Sequence, residues 1–131
     1  MNEFAGRLQP HLVDTNILID YLRGRPVARD YVDGAPVTLF LSAITIAELY
    51  AGVREGAERE HLDAFVSAFE IIPLDTDIAV LGGLYRRQYG RSYGTGLTDA
   101  LIAATAALRG FPLVTLNHKH FPMLTNVVVP Y

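Results

Sequence analysis

Short apolar runs alternate with longer amphipathic segments along the chain, and the two patterns predict different elements. The short runs are rich in β-branched and aromatic residues, which is typical of buried strands. They cover residues 12–13, 37–41, 71–74, 113–115 and 127–129. The longer segments predict helices over residues 16–23, 27–32, 46–54, 58–69, 77–89 and 99–109. Because strands separated by helices favour a parallel sheet covered on its faces, we predict a three-layer α/β/α sandwich with a central parallel sheet.

Glycine and polar residues fill the segment between the last two predicted helices. Residues 90–96 read Gly-Arg-Ser-Tyr-Gly-Thr-Gly. The segment does not follow a strand and does not end in the Lys-Ser/Thr pair of a phosphate-binding P-loop, so we assign it no such role. We predict a mobile surface loop at these positions.

The length and composition of the chain indicate one folded unit. The chain has 131 residues, half of them hydrophobic, which is enough for one buried core. Its longest apolar stretches are much shorter than the ~20 residues that cross a membrane, and its first residues lack the apolar segment of a secretory signal. The chain contains no cysteine, which agrees with a reducing compartment. We therefore predict a cytoplasmic protein with no membrane insertion.

The charge balance restricts how the chain could contact nucleic acid. Its formal net charge is −3, which excludes broad electrostatic coating of nucleic acid. Basic residues nevertheless cluster locally, and they include Arg86, Arg87, Arg91 and Lys119. Two interpretations of this cluster stay open, an ordinary solvated face or a set of contacts to RNA phosphates.

Polar side chains with acidic or amide groups follow several predicted strands. Asp14 ends the first strand, Glu48 is predicted in the first turn of the helix after the second strand, and Asp99 opens the last helix. Asn117 follows the strand at residues 113–115. Because ligands of open parallel sheets bind outside the carboxyl ends of the strands, these four side chains are the candidate site residues.

Each acid also has a structural interpretation. Thr45 and Glu48 have the spacing of a capping box, in which two side chains satisfy each other's backbone amides. Asp99 could simply favour the positive end of its helix dipole. Asp14 differs, because aspartate is depleted in strands and the polar residues after it could cap the first helix. Since burial of an unpaired carboxylate costs several kcal/mol, we expect a functional role for Asp14.

Three acids at one edge of a sheet would repel one another unless a cation lay between them. No lysine or arginine adjoins Asp14, Glu48 or Asp99 in the sequence. A divalent metal ion is the simplest explanation, and oxygen ligands suit Mg²⁺ or Mn²⁺. Zinc is disfavoured because the chain offers no cysteine and no pair of histidines at helical spacing.

Four segments resemble, in order, the motifs of PIN-domain proteins, in particular the VapC-type toxins of bacterial and archaeal toxin–antitoxin systems. They are residues 13–16 (VDTN), 44–52 (ITIAELYAG), 97–106 (LTDALIAATA) and 113–121 (LVTLNHKHF). The resemblance begins at His11 and spans nearly the whole chain from there. It predicts one PIN-like domain over residues 11–131, preceded by an N-terminal extension at residues 1–10.

The resemblance implies a metal-dependent endoribonuclease, which cleaves RNA phosphodiesters with a metal-activated water. Asp14, Glu48 and Asp99 would hold Mg²⁺ or Mn²⁺, and Asn117 would occupy the fourth catalytic position. Thr15 or Asn16 would help to fix the first carboxylate. The resemblance further implies a homodimer that cuts structured RNA as a toxin and is restrained by a cognate antitoxin bound in the active-site groove.

The chain departs from the family pattern at the fourth acid. No aspartate or glutamate follows Asp99, and His120 stands where relatives often carry an acid. With three charges rather than four, a second metal ion would be less well neutralised. We predict one tightly held ion and a weaker second ion that arrives with RNA.

Two other functions stay open at this point. A Mg²⁺-dependent phosphatase of the haloacid-dehalogenase kind also places an aspartate after its first strand, but it requires a second aspartate where Asn16 stands. A catalytically inactive PIN-like binding module, which acts only through its partner, is the other alternative. RNA cleavage that is lost on Asp14→Asn would separate a nuclease from such a module.

Overall fold

The computed structural model describes residues 9–131 and contains a sheet of five short strands. The strands are β1 (His11–Val13), β2 (Leu39–Ser42), β3 (Glu70–Ile72), β4 (Leu113–Val114) and β5 (Val127–Val128). They lie in the order β3-β2-β1-β4-β5, and every pair is parallel. The central strand β1 pairs Leu12 with Phe40 on one side and with Leu113 on the other. The carboxyl ends of all five strands therefore meet at one edge, as the sequence pattern predicts.

Helices cover both faces of this sheet. They are α1 (Thr15–Leu22), α2 (Pro26–Gly34), α3 (Ala43–Ala51), α4 (Ala57–Val66), α5 (Thr76–Tyr93) and α6 (Leu97–Arg109), with a short 3-10 helix at His118–His120. Successive side chains of a strand point to opposite faces. Leu12 accordingly packs in one core cluster with Ile102 of α6, whereas Val13 packs in a second with Ile17 of α1. The three-layer α/β/α sandwich is confirmed.

The prediction of a mobile loop over residues 90–96 is wrong for most of that segment. Helix α5 continues through Tyr93 and ends at Gly94, whose φ of 69° is the left-handed conformation that glycine adopts readily. The short turn that follows is anchored, because Thr95 is buried and its hydroxyl donates a hydrogen bond to the carbonyl of His120 at 2.7 Å. Local composition indicated a loop, but packing against α6 holds the extra helical turn.

Helix α3 begins three residues before the predicted start, directly where β2 ends. Ser42 is its N-cap, and the Ser42 hydroxyl accepts a hydrogen bond from the Ile44 amide at 3.0 Å. The serine therefore lies at both the last position of the strand and the start of the helix. This early start moves Glu48 out of the first turn, which matters for the site described below.

The beginning of the chain is only partly described. Residues 1–8, most of the predicted extension at 1–10, lie outside the described residues, and the division into an extension and a domain stays a prediction. Gln9 is described, and its side-chain amide donates a hydrogen bond to the Gly110 carbonyl. Within residues 9–131, no helix is both long enough and apolar enough to cross a membrane.

Candidate active site

Asp14 lies at the carboxyl end of the central strand and is only 4% exposed. Its Oδ1 accepts a hydrogen bond from the Thr15 amide at 2.8 Å, and its Oδ2 accepts one from the Thr115 hydroxyl at 2.7 Å. Asp14 is the N-cap of α1, so the expectation that a neighbouring residue would take this role is wrong. The cap and the buried position are compatible, because the positive end of a helix favours a carboxylate.

Asn16 and Thr115 fix the orientation of the Asp14 carboxylate. The Asn16 side-chain amide lies 3.4 Å from Asp14 Oδ2 and 3.3 Å from the Thr115 hydroxyl. Thr115, fully buried just after β4, accepts a hydrogen bond from the Asn117 amide at 3.0 Å. Sequence reasoning missed Thr115, because a threonine in an apolar strand looks like an ordinary strand residue. The available signal was its position at the carboxyl end of the strand beside β1.

Glu48 lies on α3 and is exposed. Its Oε1 accepts a hydrogen bond at 2.7 Å from the hydroxyl of Thr15, which also hydrogen-bonds to the buried Thr45 hydroxyl at 3.0 Å. The capping box predicted from Thr45 and Glu48 is wrong, because Ser42 caps the helix. Glu48 therefore does no capping work, and Thr15 links it to the backbone next to Asp14.

Asp99 lies in the first turn of α6, which begins two residues earlier than predicted, at Leu97. Its Oδ2 is 3.2 Å from Nδ1 of His120, and 28% of the Asp99 side chain is exposed. The helix-dipole interpretation fits this position. The contact with His120 adds a specific partner, which orients the Asp99 carboxylate.

Burial and the neighbouring acids both act on the Asp14 carboxylate. The pKa of Asp14 is raised from 3.8 to about 6, chiefly because burial disfavours its charged form, and the negative charges of Asp99 and Glu48 raise it further. The hydrogen bonds from Thr115 and the Thr15 amide act in the opposite direction but do not compensate. None of the ion pairs formed within residues 9–131 involves Asp14 or Glu48.

The donor chemistry of this edge fits a hard divalent cation. Asp14, Glu48 and Asp99 offer carboxylate oxygens, the ligands that Mg²⁺ and Mn²⁺ prefer. In the part of the chain that the structure describes, however, no three acidic or histidine side chains converge closely enough to form a ready ligand group. Thr15 holds Glu48 and His120 holds Asp99, so these two acids have to turn toward Asp14 before the three could share an ion.

Within residues 9–131, the remaining predicted site residues form no hydrogen bond or ion pair with the three acids. Asn117 is exposed at the start of the 3-10 helix, where its backbone amide hydrogen-bonds to Thr115. Four basic residues are exposed, and within residues 9–131 none of them pairs with a carboxylate. They are Arg86, Arg87 and Arg91 on α5 and Lys119 in the 3-10 helix.

The fold and the site together define an α/β/α protein with an acidic site at the carboxyl edge of a parallel sheet. A family model described as the PIN domain matches residues 11–123 of the chain. The chain therefore belongs to the PIN-domain family, and its relatives include VapC ribonucleases.

Three comparisons illustrate the relationship. Ribonuclease VapC10 of Mycobacterium tuberculosis is 40% identical over 123 residues, which are 92% of each chain. The tRNA(fMet)-specific endonuclease VapC of Salmonella typhimurium is 28% identical over 88% of this chain and 92% of its own. Among solved structures, a toxin–antitoxin complex from Klebsiella pneumoniae superposes with a TM-score of 0.80 at 36% identity, covering 92% of this chain and 98% of that one.

Proposed function

We propose that this protein is a metal-dependent endoribonuclease that acts as the toxin of a toxin–antitoxin pair. The single observation that carries the proposal is the buried Asp14 carboxylate. The negative charges of Asp99 and Glu48 disfavour its ionised form, and within residues 9–131 it has no basic ion-pair partner. A divalent cation is the partner that such an arrangement calls for. The PIN-domain match and the names of the VapC relatives support the same activity.

Asp14, Glu48 and Asp99 are the residues that would hold Mg²⁺ or Mn²⁺. The chemistry that such an ion supplies is activation of a water molecule and neutralisation of charge that develops on the scissile phosphate. Asn117 lies exposed at the same edge and offers a neutral amide to the phosphate, in the fourth position. Because no fourth acid follows Asp99, the three acids would neutralise one ion well, and a second ion would be held more weakly and only together with RNA.

Three polar residues act as positioning residues. Thr115 and Asn16 hold Oδ2 of Asp14, so that the carboxylate cannot rotate away from the sheet edge. Thr15 uses its amide on Asp14 and its hydroxyl on Glu48, and it therefore ties the two acids to the first turn of α1. The bonds to Asp14 fix the direction of its carboxylate in advance, whereas Glu48 has to leave the Thr15 hydroxyl to share an ion with Asp14.

RNA cleavage by the purified protein tests this function directly. We expect cleavage of RNA in Mg²⁺ or Mn²⁺, loss of cleavage in EDTA, recovery on adding the metal back, and no cleavage by Asp14→Asn. Asp63→Asn is the matched control, because Asp63 is an exposed acid on α4 and accepts its bonds from Tyr50 and Arg59. Cleavage that survives Asp14→Asn in a preparation free of host nucleases would refute the proposal.

A cleft beside Glu48 is the proposed site for the antitoxin. It has a volume of about 480 Å³ and combines apolar and charged side chains from α1, α3, α4 and the loop after α3. They include Leu22, Leu49, Val53 and Arg54, and Glu48 connects the cleft to the acidic edge. An apolar segment of a partner could therefore fill the cleft and cover an active-site acid at the same time, and the neighbouring toxin–antitoxin structures support such a partner.

Co-expression tests this partnership. We expect expression of the chain alone to arrest growth, and co-expression of its cognate antitoxin to restore growth. Val53→Arg should abolish this rescue without lowering RNA cleavage, whereas Val80→Arg, on the exposed face of α5, should leave the rescue intact. Rescue that persists in Val53→Arg would exclude the cleft as the binding site.

Light scattering of the purified chain tests the homodimer that family membership suggests.

A further inference from the structure

Helix α5 presents a cation, a glycine and an aromatic ring in a row. Arg86, Gly90 and Tyr93 are separated by four and three positions, so they lie on the same face of the helix. Arg86 is exposed, and Tyr93 is 49% exposed at the last position of α5. We call these three residues the α5 stripe.

Gly90 provides the space in which the Arg86 guanidinium lies. A Cβ atom at position 90 would be 1.7 Å from Nη1 and 2.8 Å from Cζ of Arg86, so the two groups cannot share that space. The same Cβ would be 3.2 Å from the Thr95 carbonyl oxygen, which places the guanidinium beside the turn between α5 and α6. Gly90 has an ordinary negative φ, so its backbone does not require glycine. The Arg86 guanidinium and the Thr95 carbonyl instead occupy the space around the position that a Cβ atom would take.

The turn that borders this guanidinium also carries the acidic edge. The Thr95 hydroxyl donates to the His120 carbonyl at 2.7 Å, and His120 Nδ1 lies 3.2 Å from Asp99 Oδ2. A Cβ at Gly94 would lie 3.6 Å from His120 Nε2, so the end of α5 is next to the same histidine. The α5 stripe therefore borders the site on the side of Asp99.

Tyr93 ends a ladder of tyrosine rings. The ring centroids of Tyr85 and Tyr89 are 6.2 Å apart, and those of Tyr89 and Tyr93 are 5.9 Å apart, both in edge-to-face geometry. Such contacts restrict the ring orientation at little entropic cost. Tyr93 thus offers a partly ordered, half-exposed ring next to a cation that has no carboxylate partner within residues 9–131.

We propose that the α5 stripe binds an unpaired RNA strand beside the acidic site. The Arg86 guanidinium takes a backbone phosphate through its planar fork of donors, and the Tyr93 ring stacks on a base. A base inside a duplex has both faces covered by its neighbours, so the Tyr93 ring would take a base from an unpaired segment of the RNA. This inference rests on the proposed ribonuclease activity, and it adds where and in what form the RNA is held.

Equilibrium binding, measured apart from cleavage, tests the Arg86 part. Fluorescence anisotropy would follow a labelled, unpaired oligoribonucleotide in Mg²⁺, with every variant built on Asp14→Asn to prevent cleavage. Arg86→Ala should weaken binding about tenfold and lower the salt slope by about one unit. Arg109→Ala is the charge control, because Arg109 lies at the far end of α6 from Asp99. It should change affinity less than about twofold.

Gly90→Ala separates position from charge. The added methyl displaces the guanidinium while the net charge stays constant and the helix gains a better former. We expect a loss of affinity similar to that of Arg86→Ala, and no additional loss when the two changes are combined. Equal effects of Arg86→Ala and Arg109→Ala, or unchanged binding by Gly90→Ala, would overturn the proposed contact. Circular dichroism and thermal melting establish that each variant is folded.

Tyr93 is tested by ring removal and by strand pairing. Tyr93→Ala should weaken binding of the unpaired strand about tenfold, whereas Tyr93→Phe, which keeps the ring, should bind like the parent. Duplex RNA of the same sequence should be insensitive to both changes. Equal sensitivity of the duplex would contradict base stacking.

If wild-type protein cleaves RNA but these variants bind normally, the stripe is wrong and the nuclease stands. If the variants weaken binding but no cleavage is found, the nuclease is wrong and the RNA-binding stripe stands.

Discussion

The surface acids Asp20 and Asp63 and the sheet-edge acid Asp14 all accept hydrogen bonds from hydroxyl groups, yet the pKa is lowered for the first two and raised for Asp14. On the helical surface, Asp20 accepts a hydrogen bond from the Tyr131 hydroxyl at 2.7 Å and pairs with Arg25 at 2.9 Å. The bond from Tyr131, and then Arg25, lower the pKa of Asp20. At the sheet edge, Asp14 accepts a comparable bond from Thr115, but burial raises its pKa to about 6.

The difference lies in what surrounds each carboxylate. Asp20 has its own cation in Arg25, and Asp63 has Arg59 at 3.2 Å, so the protein itself neutralises these acids. Asp14 is buried instead, and the charges nearest to it in effect are those of Asp99 and Glu48. An acid that pairs with an arginine is neutralised within the protein and contributes to the structure. A buried acid beside other acids still requires a cation. This requirement is why we propose a functional role for Asp14.

The largest expected effect comes from removing the unmatched charge. Asp14→Asn should lower kcat/KM for RNA cleavage by at least about a thousandfold, because it removes a charged ligand of the metal ion that would act on the reacting phosphate. Glu48→Gln and Asp99→Asn should follow with smaller losses, since both are more exposed. Asp20→Asn should change kcat/KM less than about twofold. Equal losses of kcat/KM in Asp14→Asn and Asp20→Asn would show that pairing with an arginine does not separate structural from functional acids.

The next effect is a pH dependence of stability with a defined sign. Because folding raises the pKa of Asp14 from 3.8 to about 6, its contribution to stability is complete below the unfolded pKa and is lost as pH rises through about 6. The loss amounts to about 3 kcal/mol. In EDTA, the free energy of unfolding of Asp14→Asn relative to wild type should therefore rise between pH 4 and pH 7. Chemical denaturation at several pH values measures it, and a flat difference would show that Asp14 is not desolvated as described.

A smaller effect should come from the hydroxyl that holds Asp14. Thr115→Val removes the bond to Oδ2 and also leaves the Asn117 amide without its acceptor. We expect kcat/KM to fall about tenfold or more, and the acidic limb of the pH–rate profile to move to higher pH, since this bond lowers the pKa of Asp14. Thr115→Ser keeps the hydroxyl and should retain the wild-type profile. A uniform loss of rate with no shift of the limb would indicate a packing defect rather than a positioning role.

The smallest effect belongs to the neutralised surface acids. Asp63→Asn weakens the bonds from Tyr50 and Arg59 on an exposed helix, where ion pairs contribute little. Thermal melting should show only a slight decrease in Tm, and cleavage should be unchanged. A large loss of stability would mean that this surface pair matters more than its exposure suggests.

Sequence periodicity predicted the sheet and its layers because short apolar strands separated by helices have few other stable arrangements. It failed where tertiary contacts decide local structure. The turn at residues 90–93 is helical although its composition suggests a loop, because Gly90 accommodates a side chain and α5 packs on α6. Glu48 appeared to be a cap because the pattern could not show that Ser42 starts the helix at the end of β2.

The sequence singled out the three acids as candidates but not the side chains that contact them. Asp14 was identifiable because a charge at the end of a buried strand needs an explanation. Thr115 was not, because threonine is common in strands and its bond to Asp14 joins positions 101 residues apart. The contact of His120 with Asp99 likewise depends on how the turn after β4 meets α6.

Calorimetric titration of Mn²⁺ into the purified protein tests the central claim most directly, because it measures whether the three acids hold a cation. We predict one tight site in the wild-type protein at neutral pH, no tight site in Asp14→Asn, and an unchanged site in Asp20→Asn. Absence of binding to the wild-type protein, or equal binding by Asp14→Asn, would contradict the account.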